Sequence, residues 1–277
     1  MSTATEHPAH YLAGPFAPAA SRAVITGAGS GIGRDIAVLL GRAGVEVHLV
    51  GRRREPLAET AAAIGGNAHV HPGDIRHADR MDEVFAEIEA AGDPAPMLVN
   101  AASGAFLAAA ENISPRGFAT VVDASLNGPF IVLRRWARPL LERQMRGVAL
   151  LVSSALAARE VPGAAHSSAA KAGLEALVRS VAVEWGPRGL RVNALAPGAF
   201  ATEGATEGMW SHPGVAAAAR AAIPLGRFGR PDELRWAAAF LLSQAASYIT
   251  GATLVVDGGW RLSPHPFGTV FPERRRA

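Results

Sequence analysis

A chain of 277 residues that is 49% hydrophobic holds enough apolar surface for one sizeable core and is short for two domains. Its 27 basic side chains nearly balance 24 acidic ones and are scattered through helical segments, which argues against a nucleic-acid surface. Cysteine is absent, so disulfides, thiolate metal sites and a cysteine nucleophile are excluded.

The first twenty residues, MSTATEHPAHYLAGPFAPAA, lack the basic start and apolar run of a signal peptide, and no segment offers the roughly 18 apolar residues of a membrane span. Residues 1–20 are expected to form a flexible arm, residues 21–261 one domain and residues 262–277 a tail, in a cytoplasmic protein. From there the runs RAVIT, VEVHLV, NAHVHPGD, PMLVN, VALLVSS, LRVNALAPG and GATLVVDGG read as strands, most of them followed by ten or more residues at helical spacing. Parallel neighbours need long crossovers, so this alternation predicts an α/β fold: a single-domain, doubly wound parallel sheet of about seven strands, a Rossmann fold with helices on both faces. Ligands then bind beyond the carboxyl ends of the strands.

The first strand runs into TGAGSGIGR, where Gly27, Gly31 and Gly33 stand between strand and helix. Glycines at such a turn allow close backbone approach, and the helix start offers free N–H groups to a pyrophosphate. The second strand ends at Gly51, followed by Arg52 and Arg53 where a ribose-binding carboxylate would otherwise be expected. A small residue followed by guanidinium suits a 2′-phosphate, so NADP(H) is favoured over NAD(H). Asp74, after the third strand, either accepts from an adenine edge or caps the following helix. The spacing of His69, His71 and His77 matches no metal-binding helix, and no metal site is expected.

The segments TGAGSGIG, Asp74, LVNAASG, Ser154, the Lys171 helix, RVNALAPG and VDGG follow one another in an order that resembles the short-chain dehydrogenase/reductase superfamily. Within it, NAASGAF, SLNGPF, SSAAKAGLEAL and EWGPRGLRVNALAPGAFATEG are similar to the 2,4-dienoyl-CoA reductase branch. By position, the resemblance implies that Thr26, Gly27, Ser30, Gly31, Ile32, Gly33, Arg52, Arg53, Asp74, Ile75, Asn100, Lys171, Pro197, Gly198 and Thr202 hold the nucleotide. It implies a homotetramer or homodimer joined through helices near 116–145 and 165–187, and a substrate lid near 200–224. It also implies a catalytic set of Asn, Ser, Tyr and Lys. Ser154 matches the serine and Lys171 the lysine, but Ser125 stands at the asparagine position and Ser167 at the tyrosine position.

A serine hydroxyl titrates far above the roughly 10 of tyrosine and is several ångströms shorter, so ordinary ketone–alcohol chemistry is disfavoured. Lys171 is the only lysine among the 27 basic residues. In a composition that otherwise uses arginine, a compact ammonium kept here points to a role that guanidinium cannot fill. His166, beside Ser167, is a candidate proton donor. The expected function is an NADP(H)-dependent reduction of a conjugated C=C or related electrophile in an apolar or unsaturated small molecule, with no nucleic acid or membrane as partner. The alternative is a non-reducing isomerase, dehydratase, cyclisation catalyst or binding subunit on the same scaffold.

Overall fold

The computed structural model describes residues 12–158, 162–200 and 213–263. Seven strands form one sheet: β1 (Arg22–Thr26), β2 (Glu46–Gly51), β3 (Ala68–Pro72), β4 (Met97–Asn100), β5 (Gly147–Val152), β6 (Leu190–Pro197) and β7 (Thr253–Val256). They are all parallel, in the order β3-β2-β1-β4-β5-β6-β7. The central strands are buried almost throughout and carry continuous Val, Ile, Leu and Ala, as expected where helices cover both faces.

Eight α-helices accompany the sheet among the described residues: α1 (Gly31–Arg42), α2 (Arg54–Ile64), α3 (Ala78–Ala90), α4 (Pro115–Val122), α5 (Gly128–Glu142), α6 (Ala165–Trp185), α7 (Pro213–Ala222) and α8 (Pro231–Leu241). On one face Phe85, Trp136 and Leu174 from α3, α5 and α6 pack on Val24, Leu98 and Leu151. On the other, Ile36, Leu57 and Leu234 from α1, α2 and α8 pack on Ile25, Leu49 and Val99. The single-domain, doubly wound architecture expected from the sequence is therefore the one observed. No helix of the described residues is long and apolar enough to cross a membrane.

Strand order reverses between β1 and β4, which opens a crevice at their carboxyl ends. Between α4 and α5 the helix passes through a π segment, Asp123–Asn127, a distortion frequent at functional sites. The expected N-terminal arm needs correction from residue 12 onward. Leu12 is buried against Leu39 and Ala239, and the Ala19 N–H donates to the Leu242 carbonyl at 2.9 Å, because an apolar side chain there finds the exposed seam between α1 and α8. Residues 1–11 and 264–277 lie outside the described part.

A polar network lies under α3 at the sheet edge. His48 and His69 are register partners with rings stacked 5.1 Å apart, and His48 Nδ1 lies 3.2 Å from His71 Nε2. Glu46 bonds Arg22 at 3.1 Å, and Glu87 pairs with His71 at 2.9 Å. Burial, with the nearby His71 and Arg22 charges, pushes His48 down to about 4. As pH falls from the ordinary imidazole value of about 6.5 toward 4, the unfolded chain takes up a proton that native His48 refuses, so folding stability declines. Urea unfolding between pH 7.5 and pH 4.5 should show this decline, and His48→Gln should flatten it; an unchanged slope in the variant would remove His48 as its source.

Candidate active site

The turn after β1 is shaped by contacts that leave no room for side chains. A Cβ on Gly27 (φ 68°) would lie 2.7 Å from the Ala102 nitrogen, and one on Gly33 would overlap the Gly27 carbonyl. Gly31 has open space but φ 50°, a conformation costly for other residues. Ser30, the N-cap of α1, makes no side-chain cap bond, so the first-turn N–H groups stay available to an anion. Thr26 Oγ1 donates to Asn100 Oδ1 at 2.6 Å and accepts from the Ala102 N–H at 3.3 Å. Asn100 Nδ2 donates to the Pro129 carbonyl, which ties β1, β4 and the start of α5 together.

A cleft of about 490 Å³ begins at this turn, with Arg52 and Arg53 at one end and Ser103 and Phe106 at the other. Neither Arg52 nor Arg53 pairs with a carboxylate among the described residues. Asp74 accepts from the Arg76 side chain at 2.6 to 3.1 Å and from its backbone N–H at 3.0 Å. These bonds pull the Asp74 carboxyl down to about 2 against the opposing effect of burial. The N-cap of α3 is His77, so the capping alternative for Asp74 is overturned: its carboxylate closes a local turn with Arg76 instead. Ile75 is buried beside Gly128.

Ser154, Ser167 and Lys171 lie where β5 meets α6. Lys171 is buried, and its Nζ donates to the Val152 carbonyl at 2.8 Å. Burial lowers its pKa to about 8, partly offset by the charge of Glu175. Ser167 is buried one helical turn before Lys171, on the same side of α6. Ser154 Oγ accepts from the Leu156 N–H at 3.2 Å, which leaves its own proton free to donate. Ser125, inside the π segment, lies 3.0 Å from Ser103 Oγ and donates to the Gly104 carbonyl. His166 is fully buried and edge-on to Phe106, with ring centroids 4.3 Å apart.

Pro197 is buried at the end of β6, and Gly198 abuts Asp257 so closely that a Cβ would overlap it. Thr202 lies outside the described residues, as do 201–212 of the expected lid; α7 covers Ala155 and Ala199 just past β5 and β6. Tyr248 is wholly exposed and has no part in the site. The described residues hold no cluster of His, Asp or Glu fit for a metal. Sequence reasoning missed Arg76, Ser103, Phe106 and Glu175. Only Glu175 left a signal, four residues after Lys171 on one helix face.

Because Lys171 is the only lysine, reductive ¹³C-methylation places a single lysine signal in the spectrum. Its NMR titration midpoint should fall near 8. A midpoint at the ordinary value of about 10.4 would show an amine in water rather than one buried against Val152.

Residues 27–261 match the family model described as enoyl-(acyl carrier protein) reductase. A probable 2,4-dienoyl-CoA reductase of Bacillus subtilis is 37% identical over 248 residues, covering 88% of this chain and 98% of that one. The peroxisomal 2,4-dienoyl-CoA reductase of Rattus norvegicus is 35% identical, covering 90% and 86% respectively. The crystal structure of a short-chain dehydrogenase from Bacillus anthracis superimposes with a TM-score of 0.81 at 32% identity, covering 89% of this chain and 98% of that one. With the strand order, the glycine turn at the β1/β4 crevice and the Lys171 helix on one scaffold, the chain belongs to the short-chain dehydrogenase/reductase superfamily and is one of its oxidoreductases.

Proposed function

We propose that the chain is an NADP(H)-dependent reductase of a conjugated C=C bond, with a dienoyl thioester as its substrate class. The observation that carries this reading is a buried ammonium, Lys171, beside a site whose described residues offer no phenol. The names of the related reductases supply the substrate class.

The side-chain-free turn at Gly27 and Gly33 and the uncapped start of α1 fit a pyrophosphate, and Arg52 with Arg53 fits a 2′-phosphate. Asp74 and Ile75 would flank the adenine, and Asn100, Pro197 and Gly198 the nicotinamide half, with Lys171 on its ribose. When bound, the reduced nicotinamide supplies hydride. Ser154 donates its free proton to the substrate oxygen that gathers negative charge, a preorganised contact of the kind whose loss costs about 10²-fold in rate. Addition to a conjugated system yields an enolate, which is far less basic than an alkoxide, so its carbon can be protonated by water or a weak acid without the missing tyrosine. Ser167 is too short and too weakly acidic for that part.

The same reading makes the chain a homotetramer, supported by Phe118 and Phe130, which lie partly exposed along α4 and α5. Light scattering should return four chain masses, and a monomer would retire the assembly.

Anaerobic mixing with NADPH and a panel of dienoyl thioesters, enones and ketones should show loss of absorbance at 340 nm with the conjugated thioesters. A flat trace with cofactor bound would favour a non-reducing role. Charge-assisted contacts of about 1.5–3 kcal/mol mean that Arg52→Ala or Arg53→Ala should weaken NADPH by about tenfold or more and NADH little. Equal losses for the two cofactors would retire the 2′-phosphate contact.

A further inference from the structure

The His166 imidazole is fully buried, and among the described residues neither Nδ1 nor Nε2 has a hydrogen-bond partner. A neutral imidazole always carries one donor and one acceptor, and leaving such a group buried without a partner is unfavourable. The large majority of buried side-chain polar atoms in folded proteins find a partner, so an imidazole with none calls for an explanation. His166 sits in the first turn of α6, next to Ser167, and its ring meets the Phe106 ring 4.3 Å away. Phe106 also lines the cleft and is 42% exposed, so one aromatic ring touches both the cleft and the imidazole.

Among the described residues, other acids and bases around the cleft and the Lys171 helix each have a partner. Lys171 donates to Val152, Glu175 accepts from Ser153, Asp74 is held by Arg76, and Asp123 accepts from Asn127. We propose that His166 is the acid that protonates the enolate carbon, reached when Phe106 turns aside. This deepens the reductase reading and rests on it. With the ring opened to solvent and protonated there, an imidazolium N–H bond breaks, a C–H bond forms at the enolate carbon and the thioester carbonyl is restored. The imidazole left behind recovers its proton from water, while the electron pair and the other hydrogen come from the NADPH already assigned to the reaction.

The test uses the full chain with NADPH and 2,4-hexadienoyl-CoA, comparing wild type, His166→Gln and His166→Ala. Positioned acids contribute about 10²- to 10⁴-fold, so both variants should lose at least about 10²-fold in turnover. NADPH affinity, read by its fluorescence, should stay within about twofold, which also reports that the variants fold. Added imidazole should restore turnover in His166→Ala and leave His166→Gln unchanged. In the absence of substrate, Phe106→Ala should raise diethyl pyrocarbonate labelling of His166, mapped by mass spectrometry. Turnover of His166→Gln within about threefold of wild type overturns this assignment alone, and so does a parallel fall in NADPH affinity, which marks a structural role. Wild-type protein that never oxidises NADPH overturns the reductase reading together with it.

Discussion

The hydrogen bond from Lys171 Nζ to the Val152 carbonyl holds the rest of the chemical end in place. It spends one of the three ammonium donors on β5 and keeps the charged tip inside the protein, where burial lowers its hold on a proton. A guanidinium in the same space would present five donors in a rigid plane and would keep its charge throughout. The bond also docks α6 on β5, which sets Ser167 one turn above the amine and His166 a step around the helix toward Phe106. One turn further along the same face, Glu175 accepts from Ser153, so two consecutive contacts pin α6 to the end of β5.

The two ends of the cleft are built on opposite electrostatic principles. At the end lined by Arg52 and Arg53 the groups are charged, partly exposed and local: Asp74 is matched by its near neighbour Arg76, and both arginines face the opening. Near the Lys171 helix, Ser125, Ser167 and Lys171 are buried, and Ser125 is bonded to Ser103, 22 residues away in the chain. Interactions at the first end are screened by salt and suited to recognising an anion. Those at the second are sheltered from solvent, where a single donor has far more influence on developing charge.

The fold and the glycine turn were legible in the sequence because they follow from local rules. Continuous Val/Ile/Leu runs alternating with helical spacing leave few architectures for a chain of this length, and the glycines at 27 and 33 read directly as backbone meeting backbone. The relations that were not legible are those made by tertiary approach. Nothing in NAASGAF announces that Ser103 will meet Ser125 or that Phe106 will cover His166, since each partner comes from an element far away in the chain. Asp74 was ambiguous because one carboxylate can accept from an adenine edge or cap a helix, and the neighbour that draws it into a turn instead of a cap, Arg76, is two residues on. Leu12 was misread as part of an arm because a lone leucine among Pro and Ala carries no periodic pattern to mark the seam it fills.

The π segment between α4 and α5 inserts an extra residue into what would otherwise be a regular spiral. Each residue of an α-helix advances by about 100°, so everything from Gly128 onward is rotated by that amount relative to α4. Trimming one amino acid from 123–127 would restore regular pitch and force a choice. Either α5 keeps Trp136 in the core and α4 swings away from the loop it braces, or α4 stays and the tryptophan turns out toward water. The length of this short stretch therefore acts as a phase adjuster, letting one long rod serve the hydrophobic interior at one end and the cleft at the other.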